Sequence, residues 1–545
     1  MHQKTRAKLY ALTLTAAMLS IFLYLMARTV LFVASARLWQ EIAVGAMLLL
    51  AEGFTMLHAF GYFLNVYHGL AAADQPRITR DTVPQLTDYP PVAIVVASYK
   101  EPLDVLEDTL TCFYNLTYPN KRIYFLDDTR YDLPKDDPQK MAEYRGKIDE
   151  LCQRIGVNLF RRPWRGAKAG MINDFLDYLA EKPVAQASLT SFEDRPRSGT
   201  GGTEKYIIVF DADMNPLPDF VEPLVAFMEQ HHKLAFIQTP QYYSNFEANR
   251  VAKAAGLQQA VFYEYICEGK SAQDAMFCCG TNVILRREAL LDVGGFDETS
   301  VTEDFATSLR FHMNGWSSAY LNKICAFGMG PEDLGGYFKQ QFRWALGTVG
   351  LLRSIGREFL RGPSRLPAAK WWEYFLSGTH YFVGWVFIVM AVCPLLYLFS
   401  DTPSYFARPE LYFLFFLPYI ILTVTIFLYS MSQRKYRFRE LAQGILLQAI
   451  TFPVYMQASL QGLVGVRGSF GITPKGGSTS LAMYKLWPQL GLALACLGGF
   501  TWGMLRLYHG DGPPLALLTN AGWCLYHFCI LSTTLFFNFP EEDTL

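Results

Sequence analysis

The chain has 545 residues, too many for a single hydrophobic core, so two or more domains are expected. A formal net charge of −1 gives no electrostatic case for nucleic acid as a partner. Ten cysteines, with no CxxC pair and no regular spacing, argue against a disulfide scaffold or a zinc site.

A membrane span needs about 20 apolar residues. The segment 9–27 is free of formal charge and follows Lys4, Arg6 and Lys8. Ala34-Ser35-Ala36 resembles a signal-processing site, but the apolar core is long and Arg28 interrupts the approach, so a span is expected. The segment 42–67 is a second span, broken only by Glu52, which either lines a polar path or pairs locally. After a long polar region come 374–400, 411–433, 441–466, 486–505 and 512–540.

The basic start predicts a cytosolic N-terminus, and the loop with Arg434, Lys435, Arg437 and Arg439 fits the same side. Segment 441–466 carries Gln443, Gln448, Gln457, Gln461 and Pro453. Unpaired amides are costly in lipid, so it is expected to be interfacial or protein-buried, leaving six spans. A seven-span alternative would put 470–476 outside. The expected division is 1–80, two N-terminal membrane helices; 81–365, a cytosolic domain with interfacial helices; and 366–545, a C-terminal membrane region containing a loop at 468–478.

Between the spans, continuous apolar runs at 92–96, 123–126, 206–210 and 234–237 read as buried parallel strands. Intervening segments such as 103–114 and 140–155 read as helices. This is an α/β pattern with a mainly parallel sheet, and such sheets bind ligands at the carboxyl ends of their strands. Acidic motifs fall at those ends: Asp127-Asp128, then Asp211-Ala212-Asp213, with Thr302-Glu303-Asp304 and Gln340-Gln341-Phe342-Arg343-Trp344 further on. A single strand-end Asp is as often a turn former or cap. Three acidic motifs in series are not well explained that way. The Ser-, Thr-, Gly- and Pro-rich stretch 182–204 reads as a surface insertion, and no Walker or GxGxxG loop appears.

These residue types suit glycosyl transfer from a sugar nucleotide. Asp-x-Asp at a strand end can hold Mg²⁺ or Mn²⁺ on a leaving diphosphate. Lys168 and Arg343 can add positive charge to the phosphates. Asp304 is the candidate general base, against the plainer reading of an acidic helix N-terminus. Trp344 offers a flat face to a sugar, although a lone Trp is more often core.

With these motifs in hand, the chain resembles the cellulose synthase-type processive family 2 glycosyltransferases (bacterial β-glucan synthases). Three Asp motifs and Gln-x-x-Arg-Trp occur in the family's order. Ser98-Tyr99-Lys100-Glu101-Pro102, Gln238-Thr239-Pro240, Phe277-Cys278-Cys279-Gly280-Thr281 and Phe470-Gly471-Ile472-Thr473-Pro474-Lys475-Gly476 also match family segments.

The resemblance implies a GT-A catalytic domain between transmembrane helices in a bacterial inner membrane, with the catalytic domain cytosolic. It implies a UDP-sugar donor, a growing β-glycan as product and the lipid bilayer as surroundings, and it leaves room for an accessory envelope subunit. Ser98, Tyr99, Glu101, Asp127, Lys168, Asp211, Gln340 and Arg343 would face the nucleotide, with Thr473 and Lys475 closing over it. Asp211 and Asp213 would hold the metal and Asp304 would be the base. Phe277, Cys279, Gly280 and Trp344 would hold the acceptor.

Met171 and Gln341 stand where many members have Asn and Arg, which bears on sugar and linkage. After Pro540 come only Glu-Glu-Asp-Thr-Leu, so regulation through a PilZ domain within this chain is not expected. Alternatives from other classes are a glycoside hydrolase, which would leave Lys168 and Arg343 unexplained, and a transporter with a non-catalytic domain. The leading expectation from the resemblance is a processive, inverting synthase that polymerises glucose from UDP-glucose into a β-glucan, cellulose or a related one, and translocates it across the membrane; within the class, the alternatives are curdlan-like, mixed-linkage, chitin-like and hyaluronan-like synthases.

Overall fold

The computed structural model describes residues 3–72, 86–134, 136–193, 204–406, 408–466 and 479–539. Its central domain is built on an eight-stranded sheet. The strands are β1 (Val92–Ser98), β2 (Lys121–Asp127), β3 (Asn158–Arg161), β4 (Ser188–Thr190), β5 (Tyr206–Phe210), β6 (Leu234–Gln238), β7 (Val283–Arg286) and β8 (Ser317–Tyr320). Their order across the sheet is β8-β6-β7-β5-β1-β2-β3-β4. β5, β1, β2 and β3 run parallel, as do β8 and β6, while β7 lies antiparallel between β5 and β6.

The apolar runs become strands because both faces of the sheet are covered. On one face Val92, Ile94 and Val96 pack with Leu106, Leu110 and Phe113 of the helix Leu103–Tyr114 and with Ile148 and Leu151 of Pro138–Ile155. On the other, Ala93 and Val95 pack with Ile172, Phe175 and Leu176 of the helix Ala167–Leu179. Within the stretch expected to be a surface insertion, Ser188–Thr190 pairs as an edge strand with β3. Residues 194–203 lie outside the described residues.

Among the described residues, six helices are long and apolar enough to cross a membrane: Tyr10–Ser35, Trp39–Leu70, Ala368–Ser400, Pro409–Gln433, Met483–His509 and Pro514–Asn538. The chain is a multi-pass membrane protein. The ambiguous segment forms two shorter helices, Phe438–Ile450 and Phe452–Val464, which meet at Thr451 just ahead of Pro453. Neither is long enough to span.

Glu52 is paired with the first span. Its carboxylate accepts from Arg28 Nε at 2.9 Å and from the Tyr24 hydroxyl at 2.6 Å, while Arg28 also donates to the Ser404 carbonyl at 2.7 Å. That cluster ties the first two spans to the loop before the fourth. The expected loop at 468–478, with Thr473 and Lys475, lies outside the described residues.

Candidate active site

Beyond the carboxyl ends of β1 and β5 the chain leaves a cavity of about 1610 Å³. Its wall includes Ser98, Tyr99, Glu101, Lys168, Asp211, Asp213, Phe277, Cys279, Gly280, Asp304, Gln340, Arg343 and Trp344. Residues spread over nearly 250 positions are gathered here because each lies in a segment flanking a strand or on a helix facing the strand ends. The same cavity runs on between membrane helices, where His58, Asn65, Glu373, His380 and Thr423 line it.

Asp211 follows β5 directly. Its amide donates to Thr281 Oγ1 at 2.8 Å, and its carboxylate pairs with Lys168. Lys168, in the first turn of its helix, also donates to the Gly280 carbonyl at 2.8 Å. Burial alone would lower the Lys168 ammonium pKa, but the charges of Asp211 and Glu303 outweigh it and hold the pKa above the usual lysine value. Arg343 sits in the same field. Burial lowers its pKa, and Asp211 and Glu303 oppose that. The cavity therefore has an interleaved set of two cations and several carboxylates, suited to a diphosphate arriving with its own counter-ion.

The segment 277–281 is pinned from both sides. Cys278 N–H donates to Ser308 Oγ at 2.8 Å, and Ser308 Oγ donates to the Asp304 carbonyl at 2.7 Å. Cys279 N–H donates to Gln238 Oε1 at 2.8 Å, which accounts for the buried glutamine at the end of β6. Gly280 has φ +82° and lies against the Asp304 carboxylate. Phe277 packs edge-on to Phe305 with ring centroids 4.8 Å apart.

Asp304 is in the first turn of the helix Glu303–Met313. Thr302 precedes it but makes no side-chain cap, so the motif is not simply a helix-capping device. Burial, then the neighbouring Glu303 charge, pushes the Asp304 carboxyl up to about 8. Once ionised, a carboxylate with so high a pKa is a stronger base than an ordinary aspartate, which favours taking a proton from a hydroxyl.

The helix Leu334–Gly350 starts at Asp333, whose Oδ1 accepts from Gly336 N–H at 2.6 Å. Gln340, Arg343, Trp344 and Gly347, spaced as one helical stripe, all reach the cavity. Gln341 is on the wall as well, but it is buried and accepts from the Tyr455 hydroxyl at 2.9 Å. It thereby fastens this helix to Phe452–Val464. Gly347 is where the acidic and aromatic motifs meet: a Cβ there would come 2.5 Å from Thr302 Cγ2.

The structure places Asp127 and Asp128 differently. Asp127 is buried away from the cavity wall, bound to Arg161 Nε at 2.7 Å and to the Tyr131 hydroxyl at 2.7 Å. Asp128 lines the cavity, 3.1 Å from Arg162. Burial raises its pKa to about 7, against the pull of Arg162. Sequence reading also did not single out Tyr243, Glu303 or Lys270, which line the same cavity. Only Glu303 carried a signal, as the middle residue of its motif.

Asp211 and Asp213 stand two residues apart on the loop after β5, and both face the cavity. Among the described residues, no group of three or more His, Cys, Asp and Glu side chains forms a metal site made by protein alone. Two carboxylates with an open side fit a hard divalent cation that takes its remaining oxygens from a ligand. The buried Ser98 Oγ and Gln340 Oε1 have no hydrogen-bond partner among the described residues, which also suits a polar ligand.

A model of the glycosyl transferase family group 2 matches residues 206–429. The cellulose synthase catalytic subunit (UDP-forming) of Pseudomonas fluorescens SBW25 is 26% identical over 511 residues, covering 91% of this chain and 62% of its own. Cellulose synthase 1 of Komagataeibacter xylinus is 26% identical over 513 residues, covering 90% of this chain and 30% of its own. The chain thus spans less than two thirds of the length of these relatives. A mannosyltransferase from Pyrobaculum calidifontis, solved with GDP-Man and Mn²⁺, overlaps 78% of this chain at 15% identity with a TM-score of 0.48. Motif order, strand-end placement and a similarity that runs from the first span to the last agree: this chain is similar to glycosyltransferases of the cellulose synthase type.

Proposed function

We propose that this protein polymerises glucose from UDP-glucose into a β-glucan and passes the product across the inner membrane. It would work as a processive, inverting transferase with its catalytic domain in the cytosol. The observation that carries this reading is the continuity of one cavity, from Lys168, Asp211 and Asp304 at the strand ends to His58, Asn65 and His380 on the membrane helices. An enzyme releasing a small product would not need its acceptor pocket to open between spans.

In this reading the nucleotide lies against Ser98, Tyr99, Glu101 and Asp128, with Lys168 and Arg343 on the diphosphate. Asp127 acts one step removed, by holding Arg161 at the end of β3. A Mg²⁺ or Mn²⁺ ion held by Asp211 and Asp213 would supply Lewis-acid stabilisation of the leaving group. Gly280 and Trp344 position the terminal sugar so that one hydroxyl meets Asp304. Asp304 takes its proton as that oxygen bonds to the donor's anomeric carbon and the bond to UDP breaks. Thr473 and Lys475, which lie outside the described residues, would close over the diphosphate. An accessory envelope subunit is a natural partner for an exported chain.

The test is a donor panel on purified protein with divalent cation, scored by UDP release and by linkage analysis of the polymer. Glucan from UDP-glucose supports the reading. A polymer made only from UDP-N-acetylglucosamine would replace it with a chitin-like or hyaluronan-like synthase.

A further inference from the structure

We propose that the helix Leu352–Arg361 is a docking surface for anionic phospholipid headgroups in the leaflet facing the catalytic domain. The inference rests on the cytosol-facing reading above.

This helix lies between the Gln-x-x-Arg-Trp helix and the span Ala368–Ser400, so it is held at the level where the membrane begins. One side is anchored by Ile355, which packs in a cluster with Trp371 and Tyr374. The other side is open. Arg353, Arg357, Arg361 and Arg365 recur every four residues and all are exposed, with Glu358 the sole acidic residue among them. Among the described residues, nothing outside the helix's own backbone lies within 4 Å of where a side chain on Gly356 would begin. Leu360, three residues beyond Arg357 on that face, is 82% exposed.

An almost naked leucine beside arginines is poorly placed for water. It is well placed for a boundary where an apolar side chain enters the acyl region and guanidinium groups meet phosphates. Further exposed apolar side chains continue the surface. Leu460 and Val464 of Phe452–Val464 are 52% and 63% exposed, and Arg353 bonds to the Leu463 carbonyl at that helix's end. Arg361 and Arg365 reach Glu358 at 3.1 and 2.8 Å, exposed pairs of the kind that give way readily to a phosphate. Each arginine near an anionic surface is worth about a fivefold preference, so four arginines against one glutamate favour an acidic over a zwitterionic lipid.

The test uses the full chain in nanodiscs containing either brominated phosphatidylglycerol or brominated phosphatidylcholine at equal mole fraction. The fluorescence of Leu360→Trp is read as a difference from the parent protein. The expected result is stronger quenching by the brominated phosphatidylglycerol, with that preference lost on adding Arg357→Gln and Arg361→Gln. Equal quenching by the two lipids overturns the proposal. So does absence of quenching by either, the result expected if this face meets solvent or an acidic protein. Sugar incorporation is measured separately, so a failure of the glucan reading leaves the quenching result intact.

Discussion

Gly280 leans on Asp304: a Cβ built on the glycine would come 3.0 Å from the Asp304 Oδ2 atom. The backbone there has φ +82°, which favours glycine, and the Gly280 carbonyl accepts from Lys168. Gly280→Ala should therefore cost about 1–2 kcal/mol of backbone strain and push the carboxylate aside. Synthesis should fall by about tenfold or more, the scale of losses from small misplacements, with the folded chain still purifying as a monodisperse species.

Removing the proposed base should separate chemistry from binding. Asp304→Asn is expected to lower polymer synthesis by about 10²–10⁴-fold while leaving UDP-sugar binding, read by calorimetry, within a few-fold of the parent. Loss of binding and rate together would show a structural role instead.

The pH profile follows from the same group. As the proposed base, Asp304 must be deprotonated to accept a proton, and its pKa is held up at about 8. Synthesis should therefore rise about tenfold per pH unit below that value and level off above it. Stability moves the other way. An unfolded Asp titrates near about 3.9, so between the two values the folded chain holds a proton that the unfolded chain has lost. Stability should fall as pH rises through this window. Glu303→Gln removes a charge that raises the Asp304 pKa and should shift the acid limb to lower pH.

Lys168 bridges Asp211 and Gly280. Charge-assisted hydrogen bonds contribute about 1.5–3 kcal/mol. Lys168→Met should thus lower kcat/KM for the donor by roughly 10–100-fold, measured from initial rates of UDP release.

Lys270 and Glu373 form a buried pair at 2.6 Å on the cavity wall. Breaking such a pair costs about 3–5 kcal/mol. Lys270→Met should lower the unfolding temperature sharply, and the double change Lys270→Met with Glu373→Leu should recover part of the loss.

The central strands were legible in the sequence because they are buried on both faces and read as unbroken apolar runs; Tyr206–Phe210 coincides with its predicted run. The helix Leu103–Tyr114 coincides with the segment between strands that was expected to be helical. β7 was missed: four residues following Thr281-Asn282 carry too short a pattern, and its antiparallel place is set by tertiary pairing with β5 and β6. The candidate site was legible as motifs, since its residues sit beside strand ends. Which of Asp127 and Asp128 faces the cavity was not, because that depends on Arg161 and Arg162 from a distant strand end. The partner of Glu52 was likewise hidden, since Arg28 lies 24 residues away on another span.

The most direct test of coupled synthesis and export uses sealed proteoliposomes with the catalytic domain outward and labelled UDP-glucose added outside. The account predicts labelled polymer inside the vesicles, resistant to added glucanase until detergent opens them. Polymer wholly digestible from outside, or UDP release with no polymer, would contradict it.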